Sequence, residues 1–178
     1  MKRLFMCCAV IVVGLALAIG SSQAQNKFVG AKTCKPCHSN DKMGGTAYKV
    51  WEKSPHADAF KTLQSDEANK IAKDKGLKTA AAESPECLKC HTVGEGKETK
   101  LNAEGVGCEA CHGAASGYKT IHLKPENKEK AIAAGLNLPS KDDPKLCETC
   151  HNAESPTAKK FVMAEYWAKI AHGGKPKK

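Results

Sequence analysis

The pattern C-x-x-C-H occurs four times in this sequence, as CKPCH at 34–38, CLKCH at 87–91, CEACH at 108–112 and CETCH at 147–151. These motifs contain every cysteine of the chain except Cys7 and Cys8. The pattern is typical of c-type haem attachment, in which both cysteines add to the vinyl groups of one porphyrin and the histidine binds its iron. We therefore predict four covalently bound haem c groups.

The motif residues have two predicted roles. The cysteines that attach haem are Cys34, Cys37, Cys87, Cys90, Cys108, Cys111, Cys147 and Cys150. The proximal iron ligands are His38, His91, His112 and His151. The spacing has a chemical cause, because two intervening residues let both sulfurs reach their vinyl groups while the next residue directs its imidazole at the iron.

Zinc is the alternative cofactor. Cys87 and Cys90, followed by Cys108 and Cys111, have a spacing that suits a zinc ribbon. Two features favour haem instead: a histidine follows all four cysteine pairs, and the chain carries signs of export to an oxidising compartment.

Three histidines lie outside the motifs: His56, His122 and His172. Taken singly, each would more often be a surface residue, but four irons need sixth ligands and lysine is the ordinary surface cation here. We predict all three as distal ligands. One iron is then left over: it is five-coordinate, or it takes Met43 or Met163, or it borrows a histidine from a neighbouring subunit. Met43, in a loop, is the better methionine candidate.

The N-terminus has the layout of a secretory signal peptide. Lys2-Arg3 precedes an apolar run from Leu4 to Ile19, and Ser22-Gln23-Ala24 resembles a cleavage site. A retained anchor is the alternative, although a spanning helix needs about 20 apolar residues. We expect residues 1–24 to be removed near Ala24 and residues 25–178 to form a single tetrahaem domain in the periplasm.

Composition points to an unusual core and to a protein partner. Only 5% of the residues are aromatic, which is little for a protein-only core, and porphyrins would supply the missing apolar area. Loss of Lys2 and Arg3 lowers the formal charge from +9 to +7, and haem propionates would offset the remainder. Evenly spread lysines on an exported chain argue against nucleic acid and favour a docking rim for a redox partner.

The predicted fold is mainly α with extensive irregular chain, a compact multihaem structure in which the haems form the core. No run of alternating β-branched residues is long enough for a sheet. The predicted helices are one through Tyr48 and Trp51, one from His56 to about Ala82 with an interruption near Gly76, a short one over 126–134, and one from Ser155-Pro156 to His172. Serine-proline pairs mark the starts of the second and fourth, and Gly173-Gly174 stops the last.

Several stretches resemble the cytochrome c-554 family, tetrahaem carriers known from ammonia-oxidising bacteria and beyond. The likeness covers nearly all of the chain after residue 24. The matching stretches are Val29–Cys34, the pattern W-x-x-S-x-H-A from Trp51 to Ala57 with Tyr48 before it, Gly105–Glu109, the set Gly113, Ser116, Tyr118 and His122, and Ser155–Thr157 with Ile170–His172.

The resemblance implies three bis-histidine haems and one five-coordinate haem, which it assigns to the second motif with Cys87, Cys90 and His91. It also implies that the haems pack in close pairs. In ammonia oxidisers the family takes electrons from hydroxylamine oxidoreductase and passes them towards the membrane. The implied partners are therefore such a donor and a membrane acceptor, within nitrogen metabolism.

Two functions follow from these observations. We favour a periplasmic electron carrier, because bis-histidine coordination changes little on reduction. The alternative is a reductase of a small molecule such as nitric oxide, acting at the open haem face opposite His91, and no residue is assigned a catalytic role. A polymerising cytochrome wire would need a ligand borrowed between subunits and is the least favoured class.

Overall fold

The computed structural model describes residues 25–172, and short helices make up most of its regular structure. The α-helices are α1 Ala31–His38, α2 Ala47–Trp51, α3 Ala59–Thr62, α4 Asp66–Asp74, α5 Pro85–His91, α6 Cys108–His112, α7 Lys128–Ala133, α8 Lys145–Glu148 and α9 Met163–Ile170. The 3₁₀ helices are Ala81–Glu83, Val93–Gly96, Thr99–Glu104, Ala115–Gly117, Ile121–Leu123 and Pro125–Asn127. None of the helices in this part of the chain is long and apolar enough to cross a membrane.

The fold class agrees with the sequence prediction. Among residues 25–172, β-structure is limited to one isolated bridge between Asn40 and Gly45, so the mainly α fold with much irregular chain is confirmed. The helix predicted through Tyr48 and Trp51 is α2. The short helix predicted over 126–134 is α7, and Gly135 follows it with a left-handed φ of 102°.

The helix predicted from His56 to about Ala82 is interrupted near Gly76 as expected, since α4 ends at Asp74 and Gly76 has a φ of 73°, but its continuity before that point is wrong. Residues 54–58 form turns, and two separate helices follow, α3 and α4. The break was encoded at Ser65, whose hydroxyl accepts a hydrogen bond from the backbone N–H of Ala68 at 3.2 Å and so caps α4. Asp66 and Glu67 in the first turn add a favourable interaction with the helix dipole.

The predicted start of the last helix is also wrong. The helix α9 begins at Met163, and residues 155–162 form turns and extended chain. Phe161, in that extended chain, packs against His151 with ring centroids 5.2 Å apart. A continuous helix from Ser155 would replace this contact. The predicted signal peptide over residues 1–24 and the Gly173-Gly174 stop lie outside the described residues.

The buried apolar residues form three small clusters instead of one continuous core. The clusters are Leu63, Ala72, Ala81 and Leu88; Ala31, Tyr48 and Trp51; and Ala115, Tyr118 and Ala131. Most domains of this size have one contiguous core, and alanine contributes little area to these clusters. The first cluster contains Leu88 of the second motif, and the second contacts Cys108 of the third.

Glu109, inside the third motif, is a deeply buried carboxylate with 3% exposure. Its oxygens accept hydrogen bonds from the backbone N–H groups of Val29, Gly30 and Ala115 at 2.7–3.0 Å. A carboxyl group surrounded by donors acts only as an acceptor, which is the role of an ionised carboxylate. Glu109 therefore fastens the chain that leads into α1 to the third motif.

We predict that Glu109→Gln lowers the free energy of unfolding of the holoprotein by roughly 2–3 kcal/mol, because the amide nitrogen would face backbone donors and leave them unsatisfied. Guanidinium unfolding followed by far-ultraviolet circular dichroism measures the change. Glu126→Gln, at an exposed carboxylate, is the matched control and should leave stability unaltered. Equal stability of the two variants would contradict the role given to Glu109.

Candidate haem sites

Each C-x-x-C-H motif forms the last turn of a short helix. The helices α1, α5 and α6 end at His38, His91 and His112. In the fourth motif α8 ends at Glu148, but the N–H of His151 still donates to the carbonyl of Cys147 at 2.9 Å, which extends the helical pattern. Side chains three or four residues apart share a helix face, so both cysteines and the histidine of each motif face the same side.

Backbone carbonyls orient three of the motif histidines. The Nδ1 atoms of His38, His91 and His112 lie 3.1, 2.8 and 3.0 Å from the carbonyl oxygens of Gly44, Ala59 and Asn137. Because a carbonyl only accepts, Nδ1 must carry the proton in these bonds. Each Nε2 then keeps the lone pair that a metal ion needs, and the hydrogen bond fixes the direction of the ring.

The three histidines outside the motifs each face one motif histidine. The ring centroids are 6.0 Å apart for His38 and His122, 6.0 Å for His56 and His151, and 5.9 Å for His112 and His172. Two imidazole nitrogens at about 2 Å on either side of one metal atom give a separation of this size. The structure therefore brings the predicted proximal and distal ligands together in three one-to-one pairs.

His91 is the motif histidine that faces no other histidine within residues 25–172. It borders a cavity of about 1260 Å³ that is also lined by the cysteines of the second and fourth motifs, by His56 and by His151. Pockets for one small ligand usually measure about 300–1,000 Å³, so this cavity has room for more than one planar cofactor. Of the described residues that line it, none is Met43 or Met163, and Met43 is 65% exposed.

The motifs lie close together in pairs. The thiols of Cys34 and Cys108 lie close enough to shift each other's pKa, which places the first motif beside the third. The thiols of Cys90 and Cys150 make the same kind of contact between the second and fourth. An ion pair of 2.8 Å between Lys89 and Glu154 reinforces the second contact at the surface.

The third motif also approaches the fourth. Burial raises the pKa of the Cys111 thiol to about 11, and the nearby thiols of Cys147 and Cys150 contribute to the rise. Together with the paired contacts, this proximity arranges the motifs in space in the order first, third, fourth, second. The second motif, which contains His91, lies at one end of the series.

Comparison with known proteins points to one family. A family model described as "Cytochrome c554 and c-prime" matches residues 33–113, which contain the first three motifs. A protein named Cytochrome c-554, from Nitrosomonas europaea, is 28% identical over 171 residues, a match that covers 85% of this chain and 69% of that protein. The chain is similar to the cytochrome c-554 family over most of its length. No solved structure matches it.

This similarity supports a c-type cytochrome with covalently bound haem c and a role in electron transfer. The geometry fits that cofactor better than zinc. Within the described residues, no three His, Cys, Asp or Glu side chains converge as the ligands of one metal ion would. A zinc ribbon would join the second and third motifs, whereas Cys90 contacts Cys150 and Cys108 contacts Cys34.

Burial favours the neutral form of four of these histidines. Burial lowers the pKa of His38, His56, His112 and His151 below the ordinary value. The ring of His151 lowers the pKa of His56 further. A neutral imidazole is the metal-binding form, so the lowered pKa favours the form of these four rings that can coordinate a metal.

Sequence reasoning named the candidate site residues but missed what surrounds them in the structure. The carbonyls that orient His38, His91 and His112 belong to the backbone, which carries no residue-specific signal. Two aromatic rings cover His151, Phe161 and Tyr166, each with a centroid 5.2 Å from the imidazole. The sequence could have indicated these two residues, because both follow the fourth motif closely in a chain that has few aromatic residues.

Proposed function

We propose that this protein is a periplasmic tetrahaem electron carrier, formed by residues 25–178 after removal of a signal peptide over residues 1–24. The two cysteines of each motif attach one haem. The proximal ligands are His38, His91, His112 and His151. His122, His172 and His56 are the distal ligands of the first, third and fourth haems. The iron on His91 has no distal protein ligand and is five-coordinate.

The observation that carries this proposal is the set of three facing imidazole pairs at 5.9–6.0 Å. Each pair joins one motif histidine to one histidine from a distant part of the chain, and no spare histidine is used twice. Two of the distal rings are further oriented, because Nδ1 of His122 and His172 donates to the carbonyls of Tyr118 and Ile170 at 3.1 and 2.7 Å. Such second bonds are typical of histidines that bind metals.

The proximity of the motifs supports transfer of electrons along the molecule. Haem iron with two histidine ligands exchanges electrons without a change of ligands, which is the chemistry the bound groups supply. The contacts between Cys34 and Cys108, and between Cys90 and Cys150, hold neighbouring attachment sites close together. Electrons would therefore pass through the series first, third, fourth, second, in either direction.

The proposed partners are redox proteins that dock on the lysine-rich surface. By resemblance to the family, the donor is hydroxylamine oxidoreductase and the acceptor lies at the membrane. With residues 1–24 removed the formal charge of the protein part is +7, and where propionates do not offset the lysines, complementary acidic patches on partners would speed encounter at low ionic strength.

A reductase acting at the second motif is the alternative function. The observation that favours it is His91, which has a proximal orienting bond to the carbonyl of Ala59 at 2.8 Å but no facing histidine in the described part of the chain. The cavity beside it would admit a small molecule such as nitric oxide. The remaining three sites would deliver electrons.

The first prediction of this proposal concerns haem number. Mass spectrometry of the purified holoprotein should give the chain from residue 25 plus four haems. Replacing Cys147 and Cys150 together by serine should remove one haem, because both thioether bonds of the fourth motif are lost. Thr149→Ala, at a variable position of the same motif, is the control and should keep all four. An unchanged haem content in the double variant would contradict the assignment.

The second prediction concerns spin state. His56→Ala, His122→Ala and His172→Ala should each add one high-spin haem to the single one expected in the wild type, because each removes one sixth ligand. Electron paramagnetic resonance and optical spectra of the oxidised proteins measure this. Met43→Ala is the control and should change nothing. If a histidine variant keeps the wild-type spectrum, that histidine is not an iron ligand. A new high-spin haem in Met43→Ala would show that this methionine binds an iron.

The third prediction separates carrier from reductase. The reduced protein should bind one nitric oxide per chain, at the iron on His91. As a carrier it should not form nitrous oxide at a sustained rate when a chemical reductant and nitric oxide are supplied in excess. Gas chromatography of the headspace measures the product. Many turnovers per protein would support the reductase, and the absence of nitric oxide binding would contradict the open site itself.

A further inference from the structure

His56 differs from the other two distal histidines in how its ring is held. Nδ1 of His122 and Nδ1 of His172 each donate to a backbone carbonyl. Within residues 25–172, the ring of His56 has no hydrogen-bond partner, and neither does the ring of His151 that it faces. Since no second bond fixes the His56 ring, its position must be set by the backbone from which it projects.

The backbone of His56 is held by the loop that leads into the third motif. The N–H of Val106 donates to the carbonyl of His56 at 2.9 Å. The carbonyl of Val106 accepts from the indole Nε1 of Trp51 at 2.9 Å. Trp51 is buried, with 9% exposure, in the cluster that also contains Ala31 and Tyr48. Val106 thus uses both of its backbone polar groups. Its N–H binds the backbone of His56, and its carbonyl binds the buried Trp51.

Gly105 allows this connection because it has no side chain. Its φ is 65°, a conformation that costs other residues energy. A Cβ at this position would collide with the carbonyl oxygen of His56 and would lie 2.8 Å from that of Ala57. Both obstacles are backbone atoms, which cannot move aside as the end of a flexible side chain could. Only glycine at this position therefore lets the loop approach the turn at His56 so closely.

We propose that Gly105 is a positioning residue for the sixth ligand of the haem on the fourth motif. Through Val106 it sets how far the His56 imidazole lies from that iron, so the lead-in to the third motif controls ligation at the fourth. This inference rests on the proposed function, in which His56 and His151 share one iron. It does not depend on the open site at His91.

The test compares Gly105→Ala with two reference variants in the holoprotein. Gly76→Ala is the matched control, because Gly76 also has a left-handed φ, 73°, but an added Cβ there would meet nothing within 4 Å. His56→Ala is the positive reference. Gly105→Ala should show one more high-spin haem than the wild type, as His56→Ala does, and added imidazole should bind one more iron than in the wild type. Gly76→Ala should match the wild type in both measurements.

The results distinguish a wrong pairing of His56 with His151 from a wrong role for Gly105. If His56→Ala gains no high-spin haem, the proposed pairing of His56 with His151 is wrong. If His56→Ala gains one and Gly105→Ala does not, the pairing stands and the role of Gly105 is overturned. Should Gly105→Ala fail to accumulate with four haems, Trp51→Phe replaces it, since it removes the donor to Val106 and keeps an aromatic ring in the cluster. A partial gain of high-spin haem in Trp51→Phe supports the inference, and a wild-type spectrum overturns it.

Discussion

The structure depends on the facing of imidazole rings from distant parts of the chain. His38 faces His122, His56 faces His151, and His112 faces His172, all at 5.9–6.0 Å. If one iron lies between the rings of each pair, every such site joins two segments that have few other contacts. This would explain how a chain with three small, alanine-rich clusters and no continuous protein core keeps a defined fold. Hydrogen bonds add links between other segments: Glu109 joins the chain before α1 to the third motif, and Val106 joins the loop before that motif to the turn at His56.

The spatial order of the four motifs determines the route that electrons would take through the molecule. Contacts between Cys34 and Cys108, and between Cys90 and Cys150, place attachment sites side by side that are not adjacent in sequence. The site without a facing histidine, at His91, then lies at the end of the series. In the proposed arrangement a terminal iron at that position would exchange electrons with, or bind, a species outside the series, whereas the three paired sites would have both axial positions filled by protein.

The sequence was informative where chemistry is local and less so where tertiary packing decides. The motif residues and the mainly α class could be predicted because the cysteine spacing and the absence of strand patterns are readable directly. The partner of each distal histidine could not, because it depends on how remote segments pack. The helix predicted from His56 to Ala82 failed because the cap at Ser65 was overlooked. The start of α9 failed because Phe161 packs on His151 in extended chain, a tertiary contact that overrides the serine-proline signal.

The central claim is that three irons have two histidine ligands and one, on His91, has a single histidine. Mössbauer spectroscopy of the isotopically enriched, oxidised wild-type protein tests it most directly, because every iron contributes to the spectrum in proportion to its amount. The account predicts low-spin and high-spin ferric components with areas in a ratio of three to one. A spectrum with only low-spin iron, or with equal areas of the two components, would contradict it.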